Sequence, residues 1–139
     1  MTFKNSSHKK HVITDLLSIT KMALNGLSSI LEKVRILSIS KLENSGLTLR
    51  QFIDCNQTFC HSLAWLCTYH MALNQMQEWS EKLHSKGQLG DVEYLINQIA
   101  FSEYLAQIKG GIPMSQGEII RLSNLGINID DEPFFKNPY

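Results

Sequence analysis

The 139-residue chain lacks an excess of charge of either sign, with 13 Lys and Arg against 13 Asp and Glu. A dedicated nucleic-acid or anionic-membrane surface needs Lys and Arg in excess on one face, so the balance argues against both partners. Three prolines and eight glycines are too few for a collagen-like or low-complexity chain. Cysteine is scarce as well. Cys55, Cys60 and Cys67 are the only three, and an odd number at these spacings makes no disulfide framework. All three fall in one predicted helix. There Cys60 and Cys67 stand ~10 Å apart along the axis at 1.5 Å per residue, beyond the ~7 Å Cα separation that a disulfide spans. Reduced cysteines fit a cytoplasmic protein. Long apolar runs are missing too. The longest are of about five residues, such as Leu63–Cys67, whereas a transmembrane helix needs ~20. The opening MTFKNSSHKKHVITDLLSITKMAL has basic residues but no uninterrupted apolar stretch or clear cleavage site, so it does not read as a signal peptide. What is there is 43% hydrophobic and 19% charged. That is enough apolar material for the core of a single soluble domain.

Periodicity divides the chain into helices. Residues 1–11 are polar, carry Lys4, Lys9 and Lys10, and read as a flexible tail. A first helix starts near Thr14 or Asp15, either of which can cap it. Leu16, Ala23, Leu27, Ile30, Val34 and Leu37 recur at steps of three and four, with Thr20 filling the gap, a helix stripe and not a strand alternation. Gly26 weakens it by roughly 1 kcal/mol relative to Ala, and Glu43-Asn44-Ser45-Gly46 ends it as a turn. Thr48-Leu49-Arg50-Gln51 fits a capping box. With no proline before Pro113, the second helix is expected to run unbroken to His84 or Ser85, ended by Gly87. It bears two apolar stripes. Phe59, Leu63, Leu66 and Leu73 form one, and Trp65, Tyr69, Ala72, Met76, Trp79 and Leu83 the other, which implies neighbours on two sides. A third helix begins at Asp91 as its cap and runs to Lys109. Its broad apolar face comprises Leu95, Ile96, Ile99, Ala100, Tyr104, Leu105 and Ile108. Gly110-Gly111 and Pro113 stop it. Ser115-Gln116-Gly117-Glu118 fits a second capping box, for a short fourth helix through Leu122 that ends near Gly126. No hairpin signal is read. The expected fold is all-α, an antiparallel helical bundle of three long helices and one short C-terminal helix. The bundle occupies residues 12–127, and 128–139 form an acidic, then aromatic, tail.

Several constellations invite chemistry. Cys67 and His70, three apart on a helix, are the minimum for a thiolate nucleophile. No orienting group or oxyanion donor accompanies them, and Cys67 sits in the most apolar stretch, where a cysteine is usually inert packing. His61 and His70 point to opposite sides of their helix, His8 and His11 sit in the tail, and no metal-binding spacing occurs, so no metal site is assigned. Asp130-Asp131-Glu132 lacks the alternating ligands of a calcium loop. Glu103 lies among apolar neighbours, where burial raises a carboxyl pKa, yet a structural role is favoured. Trp65, Tyr69, Met76 and Trp79 are either core or a docking face, because Trp, Tyr and Met concentrate where partners bury each other.

Two stretches carry a family resemblance. One is His61-Ser62-Leu63-Ala64-Trp65-Leu66-Cys67-Thr68-Tyr69. The other runs from Gln98-Ile99-Ala100-Phe101-Ser102-Glu103-Tyr104 through Gln107-Ile108-Lys109-Gly110-Gly111-Ile112-Pro113 to Glu118, followed by Leu122-Ser123-Asn124-Leu125-Gly126. Over about residues 12–127 the chain resembles the N-terminal helical extension of acyl-CoA dehydrogenases of the methylsuccinyl-CoA dehydrogenase-like group. Asn124 departs from the aspartate that fits the pattern better. In that family a separate, larger region holds FAD, the acyl-CoA and the catalytic carboxylate, and none of it is present here. Gln107-Ile108-Lys109-Gly110-Gly111 also resembles the start of the family's Gln-x-x-Gly-Gly-x-Gly-Tyr turn, which contacts FAD across a dimer interface. Ile112-Pro113-Met114 departs from it.

The resemblance implies an accessory domain with no catalytic residues and no cofactor of its own, FAD entering only with a partner chain. It self-associates or docks on an acyl-CoA dehydrogenase-like flavoprotein through Trp65, Tyr69, Met76 and Trp79. Two alternatives stay open: a bundle that binds a flavin or acyl-CoA nucleotide at Gln107, Gly110 and Gly111, and a vestigial fragment of a split dehydrogenase gene. A small enzyme using Cys67 or Glu103 is the remaining rival.

Overall fold

The computed structural model describes Ile13 and residues 15–136. The expectations for residues 1–11, His8 and His11 included, and for Thr14 as a cap lie outside the described residues. Helices α1 (Leu16–Ser45), α2 (Leu49–Cys55), α3 (Gln57–Ser85) and α4 (Asp91–Gly110) are followed by strands β1 (Ile112–Pro113) and β2 (Ile119–Ile120). Two 3₁₀ turns (Leu122–Leu125 and Ile129–Asp131) and the short α5 (Pro133–Lys136) complete the order. The fold is all-α with one minimal hairpin.

The α1 stripe forms as its spacing predicts. Leu16, Thr20, Ala23, Leu24, Leu27, Ile30 and Val34 are buried, but Leu37 is exposed, so the stripe closes at Val34. Asp15 makes no side-chain cap and adopts φ 62°. Its carbonyl instead accepts from the Ser18 and Ile19 amides. The helix passes Gly26 without a break. A Cβ there would lie 2.5 Å from the Phe134 ring, so the bare Cα makes room for a distant side chain. Gly46, at φ 66°, ends α1 in the left-handed region.

The expected single second helix is two. Thr48 and Gln51 form the predicted capping box of α2. The chain then leaves helical geometry at Asn56 (φ −124°, ψ 40°), whose side-chain amide donates to the Phe52 carbonyl at 2.8 Å. An asparagine that competes for a backbone acceptor is a helix breaker without being Pro or Gly. The bend buries Phe52 and puts Cys55 on a different helix from Cys60 and Cys67. Beyond it α3 lies antiparallel between α1 and α4, in accord with its two stripes. Gly87, at φ 64°, follows the helix end as expected.

Polar pairs cross the bundle at one end. Thr20 donates to Gln77 Oε1 at 2.6 Å, Gln77 Nε2 to the Leu17 carbonyl at 3.0 Å, and Asn97 Nδ2 to Ser80 Oγ at 2.6 Å. At the start of α4, Gly90 is the cap and donates its amide to Glu93 Oε2 at 3.0 Å, so Asp91 is the first helical residue. The expected α4 face is only partly covered. Phe101 and Ile108 are buried with Asn97, whereas Leu95, Ile96 and Ile99 are exposed.

Past α4 the structure differs from expectation twice. Ser115–Glu118 caps no helix and forms a hairpin turn, with Ser115 and Glu118 bonded amide to carbonyl in both directions. Ile112 pairs with Ile120 and Pro113 with Ile119. Ile112 and Ile120 face the core, and that burial decides for the hairpin. The expected fourth helix is reduced to β2 and a 3₁₀ turn ending at Gly126 (φ 78°). The segment expected as a tail packs back on the bundle as far as Lys136. Ile127 is buried, Phe134 and Phe135 lie against the core, and Glu132, only 7% exposed, receives Lys33 Nζ at 2.8 and 2.7 Å.

Candidate functional site

Tyr69, expected to bind a partner, and Gln107, expected to bind a cofactor, meet at the seam between α3 and α4. Trp65 and Tyr69, one helical turn apart, make an edge-on contact with centroids 6.5 Å apart. Tyr69 in turn lies 4.5 Å from the Tyr104 ring of α4. The Tyr69 hydroxyl donates to Gln107 Oε1 at 2.6 Å. Burial, then the neighbouring Tyr104, pushes the Tyr69 phenol above its ordinary pKa, so it keeps the proton it donates. Trp65 Nε1 donates to His61 Nε2 at 3.0 Å. Glu118 Oε1 lies 3.8 Å from the same nitrogen. Trp65, Tyr69 and Met76 pack on the core, while Trp79, 38% exposed, keeps an open edge. Much of the stripe is therefore engaged within the chain.

Gln107 and the two glycines do not form one surface. The Gln107 carbonyl accepts from the Gly111 amide at 2.7 Å while its side chain points to Tyr69. Gly111 sits at φ 122°, and a Cβ there would collide with the Ile119 side chain, so the glycine is required by the hairpin that follows. Gly110 lines an open groove of about 490 Å³ with Lys109, Arg121, Ser123 and Asn128. Two cations there suit an anion, but the carbonyl end of α4 opens on the same side and opposes one. The Arg121 amide donates to Asn124 Oδ1 at 2.7 Å, a bond the expected aspartate would also accept.

The catalytic candidates do not assemble. Cys67 is exposed as a residue and not core packing, but protein on one side partly desolvates its thiol and raises the pKa, which disfavours the thiolate. His70 Nε2 is hydrogen-bonded to Ser28 Oγ at 2.7 Å, and burial lowers its pKa. Glu103 is exposed, not buried. Among the described residues, no group of three His, Cys, Asp or Glu side chains stands close enough to hold a metal ion. Nor is any helix there long and apolar enough to cross a membrane.

A surface missed from the sequence lies at the far end of the bundle. The C-terminal half of α1, the whole of α2 and the start of α3 enclose an apolar groove of about 350 Å³, lined by Ile39, Leu42, Leu49, Phe52, Ile53 and Leu63 among others. It exists because of the bend at Asn56. The stretch from Ile36 to Ile53 is no richer in apolar residues than the chain as a whole, so its composition did not mark the groove.

Over 118 residues, 85% of its length, the chain is 39% identical to (2S)-methylsuccinyl-CoA dehydrogenase of Cereibacter sphaeroides. The chain is similar to one part of that dehydrogenase. The match takes in only 22% of the length of (2S)-methylsuccinyl-CoA dehydrogenase. The resemblance drawn from the α3 and α4 stretches is thus met by a relative of the same type. No family model matches the chain.

Proposed function

We propose that this chain is a non-catalytic accessory domain that docks on the flavin-binding body of an acyl-CoA dehydrogenase. The carrying observation is the asymmetry of the match, which takes in 85% of this chain but 22% of the dehydrogenase. The raised pKa of the Cys67 thiol and the engagement of His70 Nε2 by Ser28 Oγ at 2.7 Å support the same reading. FAD and acyl-CoA then belong to the partner, and the domain contributes surface. Its three cysteines are all free, which suits a reducing compartment such as the cytoplasm.

Capture of the tagged chain from its own source cells tests this. A stoichiometric larger flavoprotein with the flavin absorption band is the expected result. A colourless protein, alone or self-associated, overturns docking and leaves either self-association or a vestigial fragment of a split gene. The Lys109 and Arg121 groove beside Gly110 supports a weaker second reading, binding of a flavin or acyl-CoA phosphate. Calorimetric titration with FAD and with an acyl-CoA is then expected to give heat, and Arg121→Ala to abolish it.

A further inference from the structure

The groove at the far end is not an isolated dimple. Ser38, Ile39 and Leu63 line it and also line a second groove of about 360 Å³, which continues between α1 and α3 to Cys67 and His70. The combined trough follows α3 from Phe59 to His70, ~16 Å at 1.5 Å per residue. Its floor is nearly all carbon at the α2 end, where Leu49 is 61% and Ile53 44% exposed. Its rim is polar, with Arg35 paired to Glu32 at 2.6 Å. An open trough between two antiparallel helices fits one more helix, apolar at positions i, i+3 or i+4, and i+7.

We infer that this trough between α1, α2 and α3 seats an amphipathic helix of the dehydrogenase body. The inference rests on the docking reading given above and names its surface. In the relative, the matched segment is accompanied by the other four-fifths of a longer chain, so there is a body at hand to cover such a face. A large exposed apolar surface on a small domain is otherwise an association liability. A second copy of this chain is less well matched. Its exposed apolar ridge is on α4 at Val92, Ile96 and Ile99, a helix that does not line the trough, and a dimer closes only where a twofold seats both ridges in both troughs at once.

The test places a photoreactive benzoylphenylalanine at Ile53 in the trough or, separately, at Val92 on α4, in tagged full chain made in its own source cells. Crosslinking at Ile53, and not at Val92, to a flavin-bearing protein identified by peptide mass as an acyl-CoA dehydrogenase is expected. Ile53→Asp, an exposed change that leaves the helical circular dichroism intact, is expected to lower recovery of that flavoprotein about tenfold or more. Flavoprotein recovered undiminished with Ile53→Asp, or crosslinked from Val92 alone, overturns the trough and leaves the docking reading standing. No flavoprotein with any variant overturns both. An adduct between two copies through Ile53 assigns the trough to self-association and overturns the inference.

Discussion

Both ends of α1 carry apolar side chains, ten of the nineteen residues from Leu16 to Val34 and four of the eleven that follow, yet the two differ completely in use. From Leu16 to Val34 the helix buries a residue at almost every turn, and polar bonds tie it to α3 through Thr20 and Gln77 and through Lys21 and Glu81 at 3.0 Å. Beyond Val34 nothing on α1 is buried. Ile36 is 55% and Ile39 42% exposed, and Leu37 is also open. Near the first half, α3 and α4 together close a three-helix core. Near the second, the short α2 and the 3₁₀ turn at Leu122–Leu125 stand beside α1 and α3, and the side toward the groove stays open. An apolar stretch thus becomes closed core or open groove according to how many elements reach it. The polar pairs with Gln77 and Asn97 sit where the core is closed, where their partners are fixed and desolvated.

The widest gap between the ends is expected from side-chain truncation. Leu27→Ala, at a fully buried position, is expected to cost about 2–5 kcal/mol, whereas Ile39→Ala stays within about 0.5 kcal/mol of the parent. Urea unfolding of both variants measures this, and equal losses would erase the distinction. Gln77→Leu removes the acceptor of the Thr20 hydroxyl and one donor to the Leu17 carbonyl, at a cost of about 1–3 kcal/mol by the same measurement. Gly111→Ala forces a Cβ into the left-handed region and against Ile119. A loss of more than about 1 kcal/mol in thermal unfolding is expected.

The smallest effect is a difference in acid response. Gln77, then Lys21, lowers the Glu81 pKa from 4.5. Its stabilisation is present above 4.5 and is lost as pH falls through the depressed value. Beside the trough, burial lowers His70 from 6.5. A neutral imidazole favoured by the fold gives stability that is complete above 6.5 and fades as pH falls through its lowered value. NMR titration should therefore show the trough end responding first on acidification. In Gln77→Leu the Glu81 carboxyl should titrate closer to 4.5.

Local signals made the helices legible. The α1 and α3 stripes are long and periodic, and Gly46, Gly87 and Gly126 stand at the ends they were expected to mark. The Asn56 break escaped because its cause is one side-chain amide choosing the Phe52 carbonyl, a choice that composition does not register. The hairpin escaped because two-residue strands carry almost no pattern, and Ser115 and Glu118 satisfy the spacing of a helix cap equally well. The candidate site was readable in part. Tyr69 and Gln107 stood out for separate reasons, but their bond depends on how α3 and α4 lie side by side. The trough needed the bend, so it could not be seen before it.

The clasp of the C-terminal segment on α1 has a further consequence, in the order of events during synthesis. Glu132 meets Lys33 across 99 residues, and Phe134 fills the space beside Gly26. Contacts so distant in sequence carry the largest loop-closure cost, and the N-terminal part of a chain emerges first from the ribosome. Helix α1 can pair with α3 while translation continues, but its Gly26–Lys33 face stays uncovered until residues 127–136 have emerged.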